Sequence, residues 1–471
     1  MAIESINPAS EEVLATFKEF TAEQTEQAIA QADAAFRKWR ETSFAERARL
    51  VRRAGAILRE RKPRYAAMIT AEMGKPVVES EAELEKCAWN CDFYAENAEH
   101  MLADETVLTN AKESFVAFQP LGTILAVMPW NFPFWQVFRF AAPALIAGNT
   151  ALLKHASNVP QCALAIVEVF RDAGFPEGAF STLLIPGRDV EPIINDPRVR
   201  AVTLTGSDDT GTKVAAASGH ALKKSVLELG GSDPFIVLAD ADLDGAAAIG
   251  AKARFQNTGQ SCIASKRFVV EQSVAVEFEQ KFVEAVKKLK VGDPMDRETN
   301  IGPMARGDLR DDLDRLVQGS VNLGARVVMG GHRIEGRGYF YAPTVLTGVT
   351  QQMPVFREET FGPVAPVIRA RDPEHAVALA NDSDFGLGAE LWTNDLERGR
   401  KLARRIESGS VFINGMVASD PRLPFGGVKR SGYGRELSSF GIREFVNVQT
   451  IWIGPAAPTP SAPRAVTSAA E

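Results

Sequence analysis

The sequence predicts an α/β protein built on mostly parallel sheet covered on both faces. Three observations predict it. Short apolar runs alternate with helical segments from Gly122 onward, a second alternation of the same kind begins at Pro234, and 45% hydrophobic with 24% charged residues is a globular composition with ample material for a core. At roughly 150 residues per domain, 471 residues allow about three domains.

The N-terminal part reads as helical. Thr21 with Gln24 and Ser43 with Glu46 have the spacing of capping boxes, and Leu50, Val51, Ala54, Ile57 and Leu58 form an apolar stripe. Gly74, with Pro76 just beyond, supplies a helix stop. Cys87 and Cys91, four apart on the next helical stretch, read as two partly buried thiols on one face. The strands then follow as GTILAVMP, TALLKH, FSTLLIP, AVTLTG and SVLELGG. PFIVLAD, RFVVEQS, ARVVMGG, PVIRARD and SVFIN make the second series, with a helix over 277–290 among them. The join between the two falls near Gly230 and Gly231. The final PAAPTPSAPRAVTSAAE run, rich in Pro, Ala and Ser, is expected to be a disordered tail.

Charge and cysteine content narrow the function classes. With 53 basic and 60 acidic side chains the net charge is −7, which argues against a nucleic-acid partner. Four cysteines without C-x-x-C pairing or zinc spacing suggest neither a disulfide framework nor a metal site. No secretory leader is visible, so a cytoplasmic location is expected. The stretch 114–138 carries no charged residue, but Pro120, Pro129 and Pro133 interrupt it and Gln119, Asn131 and Gln136 would lack partners in lipid. It reads as a buried strand running into a functional loop, not as a membrane span.

Four runs carry candidate chemistry. Cys262 lies in FQNTGQSCIAS, a polar, glycine-containing run where an exposed thiol becomes a nucleophile if its pKa is lowered. Glu228, a lone carboxylate ending an apolar strand before two glycines, has the surroundings of a general base with a raised pKa. Asn131 in PWNFPFW, pinned between prolines and aromatics, could aim an amide N–H at a developing oxyanion. Gly206 to Gly211, between an apolar strand and a helical run, could receive a phosphate on backbone N–H groups, although it is neither G-x-G-x-x-G nor a Walker A motif. Read singly, each also fits a plainer role: a packing cysteine, a salt-bridged strand end, a loop cap, an ordinary turn.

Taken together, PWNFP, LELGG, the GQSC loop and EETFGPV, in this order and at these separations, resemble the NAD(P)-dependent aldehyde dehydrogenase superfamily. The likeness runs from INPAS to FGGVKRSGYGRE. It implies a doubly wound, Rossmann-like cofactor domain over 1–101 and 121–230 and an α/β catalytic domain over 231–435. A small β oligomerisation element would combine 102–120 with 436–455, leaving 456–471 as the tail. A homodimer, or a tetramer built from two dimers, is expected.

The resemblance further implies that Cys262 is the nucleophile, Glu228 the base for the deacylating water and Asn131 an oxyanion donor. The cofactor would meet Trp130, Lys154, Ser157, Gly206, Ser207, Gly211, Leu229, Glu359 and Phe361. Many NAD-preferring relatives carry Glu where this chain has Ser157, so NADP is expected to be preferred, with NAD accepted. The closest likeness is to bacterial and cyanobacterial succinate-semialdehyde dehydrogenases, through NFPFWQVFRFAAPAL and KHASNVPQ. There Arg139 would read the substrate carboxylate, with Ser419 as a hydroxyl partner and Trp135 beside them. Two departures stand out: Gln256 replaces a second arginine found in some members, and Ala264 replaces a second cysteine used by some as a redox switch. Glutarate semialdehyde or an aliphatic or aromatic aldehyde is the alternative substrate, and a cofactor-independent thiol esterase the alternative activity.

Overall fold

The computed structural model describes residues 2–454, so the expected tail over 456–471 lies outside the described residues. Four helices, Ala22–Trp39, Phe44–Glu60, Lys62–Met73 and Val77–Met101, open the chain after a hairpin of Ala2–Ile6 and Val13–Lys18. Thr21 and Gln24 form the reciprocal capping box. Ser43 does not complete one: its hydroxyl accepts from Glu46 N at 3.2 Å, but the Glu46 carboxylate turns to Arg49 at 2.8 Å. Gly74 ends its helix in the left-handed conformation, φ 83°. The apolar stripe from Leu50 to Leu58 is buried against the long helix that follows, and Cys87 and Cys91 are fully buried there rather than partly.

A six-stranded sheet runs in the order Gly432–Tyr433, Lys224–Glu228, Val199–Thr205, Thr123–Met128, Thr150–His155, Phe180–Thr182. All its pairings are parallel except that of Gly432–Tyr433. The chain therefore returns late to cover this sheet's edge. A seven-stranded sheet follows the order Arg326–Met329, Thr344–Thr347, Val364–Ala370, Ser265–Glu271, Asp233–Val237, Gly388–Trp392, Ser410–Ile413, antiparallel only at its first pair. Thr344–Thr347 and Gly388–Trp392 are strands that apolar runs alone did not reveal. Glu113–Pro120 pairs antiparallel with Val446–Ile453 over eight residues, and Glu105–Thr106 adds a third strand.

The uncharged stretch is thus divided. Glu113–Pro120 belongs to the three-stranded sheet and Thr123–Met128 to the middle of the six-stranded one, with Gly122 between them at φ 144°. A Cβ there would lie 2.5 Å from the Arg200 side chain, so only glycine permits the change of sheet. Past the loop at 129–134, the helix Trp135–Ile146 is buried along its whole length, with its Phe138 ring stacked on Phe134 and Phe170. Among the described residues, no helix is long and apolar enough to cross a membrane.

Candidate active site

Adjacent parallel strands of the six-stranded sheet end at one crevice: His155, Met128, Thr205 and Glu228 are their last residues. The chain order reverses on either side of Thr123–Met128, which makes that carboxyl edge a topological switch point, the usual ligand position of a doubly wound sheet. The segments carrying Asn131, Ser157, Gly206 and Leu229 all leave the sheet there.

Cys262 reaches the same crevice from the other sheet. Its loop follows the helix Leu243–Phe255 with Asn257 and Thr258 both left-handed, φ 55°, and Gly259 at φ 72°. A Cβ on Gly259 would lie 2.3 Å from the Gly362 carbonyl. Two non-glycine residues in this region are costly and persist only where the surroundings hold them. Here they are held: Asn257 N donates to Glu79 at 2.7 Å, and Asn257 Nδ2 donates to the carbonyls of Asn131 at 2.8 Å and Gln260 at 3.0 Å. Asn131 Nδ2 donates to the Gln260 carbonyl at 3.1 Å, leaving its second N–H for the cavity it lines with Cys262.

Lys266, fully buried on the strand after the loop, donates to the Ser261 and Cys262 carbonyls at 2.8 and 2.7 Å and lies 3.1 Å from Glu359. Glu359 in turn accepts from Gly231 N at 3.0 Å. Burial pushes the half-buried Cys262 thiol up to about 12, with Lys266 and then Arg139 pulling against it.

Two cavities share Cys262 and Gln136 as wall. One, of about 240 Å³, is bounded by Trp130, Asn131, Gly206, Ser207, Leu229, Glu359 and Phe361. The Trp130 and Phe361 rings meet edge-on at 5.8 Å. Leu229 approaches so closely that a Cβ on Gly211 would lie 2.5 Å from its methyl groups. The other cavity, of about 150 Å³, is bounded by Lys86, Trp135, Arg139, Gln256, Ser419 and Phe425 among others. A separate open cleft of about 610 Å³ holds Lys154 and Ser157 with Arg188 and Arg306 on its rim. Lys154 is nearly buried, its pKa lowered by desolvation, and no carboxylate lies within 4 Å of it among the described residues. A cation so placed suits an anionic ligand group.

Glu228 ends its strand 2% exposed, with no hydrogen-bond partner on either carboxylate oxygen, and desolvation holds its pKa well above the carboxylate range. Its carboxylate is turned toward Gly426 and borders neither cavity. Arg139 lines the smaller cavity and also forms a structural ion pair, the plainer alternative for a buried arginine. The anion it requires is supplied by the chain itself, since Nε pairs with Glu436. Nη2 donates to Thr205 at 3.2 Å, and the guanidinium stacks on Phe425 at 4.7 Å. Ser207 caps the helix Asp208–His220, accepting from Thr210 N at 3.4 Å, while Asp208 pairs with Arg430 at 2.6 Å.

Two residues of the site were missed in the sequence, Lys266 and Lys86. Lys86 Nζ donates to Ser419 Oγ at 2.6 Å and sits 4.5 Å over the Trp135 ring. A signal existed for it: Glu79, Ala82, Glu83 and Lys86 are spaced i, i+3, i+4, i+7, and all four line the cavity.

Comparison with known proteins agrees with the fold. The sequence model described as "Aldehyde dehydrogenase family" matches residues 1–451. A probable succinate-semialdehyde dehydrogenase [NADP(+)] of Synechocystis is 54% identical over 453 residues, 96% of this chain and 100% of the relative. A succinate semialdehyde dehydrogenase [NAD(P)+] of Escherichia coli is 52% identical over 95% of this chain and 97% of its own length. The crystal structure of succinic semialdehyde dehydrogenase from Streptococcus pyogenes with NADP+ superposes with a TM-score of 0.94 at 38% identity, covering 96% of this chain and 100% of that one.

The raised thiol has a direct consequence. Alkylation of the unliganded protein by iodoacetamide should label Cys262 alone, since Cys87, Cys91 and Cys162 are fully buried. The rate should climb about tenfold per pH unit from pH 7 to 9, as the thiolate fraction does far below its pKa. Peptide mass spectrometry measures both, and a plateau below pH 8 would contradict the raised value.

Proposed function

The chain belongs to the aldehyde dehydrogenase family, and on that premise we propose that it oxidises succinate semialdehyde to succinate with NADP+ or NAD+. The observation that carries this reading is the position of Cys262 on the wall shared by two cavities, one suited to a nicotinamide and the other lined by cationic Lys86 and Arg139 and the Ser419 hydroxyl.

The residues present fit the dinucleotide. Lys154 and Ser157 in the open cleft would hold the adenosine ribose and its 2′-phosphate, the turn from Gly206 through Ser207 to Gly211 would receive the pyrophosphate, and Glu359 would take the nicotinamide ribose. Trp130, Leu229 and Phe361 would wall the ring. When bound, the oxidised nicotinamide supplies a hydride acceptor beside Cys262.

In the proposed mechanism the Cys262 thiol gives its proton to solvent water, the thiolate adds to the aldehyde carbon, and the free N–H of Asn131 with the Cys262 backbone N–H receives the oxyanion. Collapse expels the hydride and leaves a thioester on Cys262. With the Glu228 side chain swung from Gly426 toward Cys262, a water gives its proton to Glu228 and attacks the thioester carbonyl; collapse releases the acid, and the departing thiolate takes the proton back from Glu228. Because burial raises Glu228, its base form grows as pH rises, so deacylation accelerates with pH through that raised pKa. Lys266 keeps the nucleophile's loop and Glu359 in register throughout.

The proposed domain division assigns 1–101 and 121–230 to the cofactor and 231–435 to catalysis, with 102–120 and 436–455 as the oligomerisation element. The outer edge of Val446–Ile453 pairs with no other strand among the described residues, and Val448, Trp452 and Ile453 on it are exposed. Such an edge seeks a partner strand, and a second copy supplies one by symmetry, giving a dimer or a tetramer of two dimers. A reducing, cytoplasmic setting suits the four free thiols.

Three measurements test these assignments. In a panel of aldehydes against both cofactors, succinate semialdehyde should give the highest kcat/KM and NADP+ should exceed NAD+, while Ser157→Glu should reverse the cofactor preference; an unchanged ratio would refute the role of Ser157. Glu228→Gln should retain a burst of one reduced nicotinamide per Cys262 and then turn over about 10³-fold more slowly. Light scattering should give a multiple of 51.1 kDa, lowered toward the monomer by Trp452→Glu.

A further inference from the structure

The small cavity beside Cys262 is lined by two carboxylates and two cations, and of the cations only Arg139 is paired with a carboxylate. Glu83 Oε1 accepts from the backbone N–H groups of Phe134 and Trp135 at 2.8 and 2.9 Å, and Oε2 pairs with Lys75. Glu79 accepts from Asn257 N. Arg139 is neutralised by Glu436 and covered by Phe425. On the rim, Asp420 is held by Arg422 at 2.6 Å.

Lys86 is the exception. No carboxylate lies within 4 Å of its ammonium among the described residues, and its one hydrogen bond goes to a neutral hydroxyl, Ser419 Oγ. The ring of Trp135 lies 4.5 Å away and offers only a weak counter-charge. Two of its three donors are therefore uncommitted, at a wall that also contains Cys262. An ammonium withdrawn from water without a counter-ion is destabilised until an anion joins it, and a carboxylate arriving from the cavity would do so at little cost in reorganisation.

We propose that Lys86 is the cation that receives the carboxylate of the aldehyde substrate, with Ser419 orienting the ammonium and Arg139 serving as a structural ion pair behind it. The inference rests on the reading that the substrate is a carboxylate-bearing semialdehyde, and it names the side chain that makes it so. It also accounts for Gln256: a site with a free ammonium needs no second arginine at that wall. The selected substrates are short aldehydes with a terminal carboxylate, and the discrimination is made in binding.

The test compares succinate semialdehyde with butanal, a neutral aldehyde of equal chain length, in wild type, Lys86→Gln and Lys86→Arg. Glutamine keeps an N–H donor and removes the charge, at a somewhat shorter reach. The ratio of kcat/KM for the semialdehyde over butanal should fall at least about 30-fold in Lys86→Gln, the low end of the loss when a desolvated charge pair is broken. The loss should lie in KM for the semialdehyde, and Lys86→Arg should recover most of it. Succinate should inhibit butanal oxidation competitively in wild type and far more weakly in Lys86→Gln. A wild type that prefers the semialdehyde and a Lys86→Gln that keeps that preference would overturn the role of Lys86 alone. A wild type with no preference for the semialdehyde over butanal would overturn both this role and the substrate reading.

Discussion

The buried ammonium of Lys266 is the contact on which the site depends. It gathers the carbonyls of Ser261 and Cys262 and the carboxylate of Glu359 around one point, and Glu359 carries the connection on to the backbone of Gly231. The Cys262 loop, the loop bearing Phe361 and the passage between the two large sheets are thereby held together. The backbone has little freedom to drift: a Cβ on Gly230 would lie 2.4 Å from Glu359, and one on Gly259 would lie 2.3 Å from the Gly362 carbonyl. Arg254, also fully buried, reinforces the same loop by donating to the carbonyls of Thr360 and Gly362.

Desolvation does most of the electrostatic tuning around this scaffold. It is the first cause of the upward shifts of Cys262 and Glu228 and of the downward shifts of Lys86 and Lys154. All four groups are pushed toward their neutral forms, so a ligand that interacts with the charged form offsets part of that cost. Lys154 and Lys86 gain from anions and Cys262 from an electrophile. Glu72 and Glu83 behave differently, being carboxylates already met by backbone N–H groups, and they serve to join elements rather than to react.

The mostly parallel architecture could be read from the runs of Ile, Val and Leu because strands buried on both faces must be apolar along their length. Thr344–Thr347 and Gly388–Trp392 escaped that reading for a physical reason. The first is only four residues long, and Gly388–Trp392 buries Glu390, whose carboxylate finds Ser265 and the Val417 N–H in the folded chain. The Ser43 box failed for an equally local cause, since Glu46 had Arg49 within reach.

Cys262, Glu228 and Asn131 stood out in the sequence as candidates because their runs contradict their surroundings: a thiol in a polar loop, a carboxylate ending an apolar strand, an amide between prolines and aromatics. Motif order across the chain then named the family. Charge pairing was beyond the sequence, because Arg139 and Glu436 stand almost 300 residues apart and nothing local marks them as partners. The same holds for Lys86, whose freedom is defined by where Glu79, Glu83 and Asp420 are spent. Residue type and spacing determined which chemistry this chain carries; tertiary packing decided which cation stays free, because an ion pair is a property of distance in space and burial sets what leaving a charge unpaired costs.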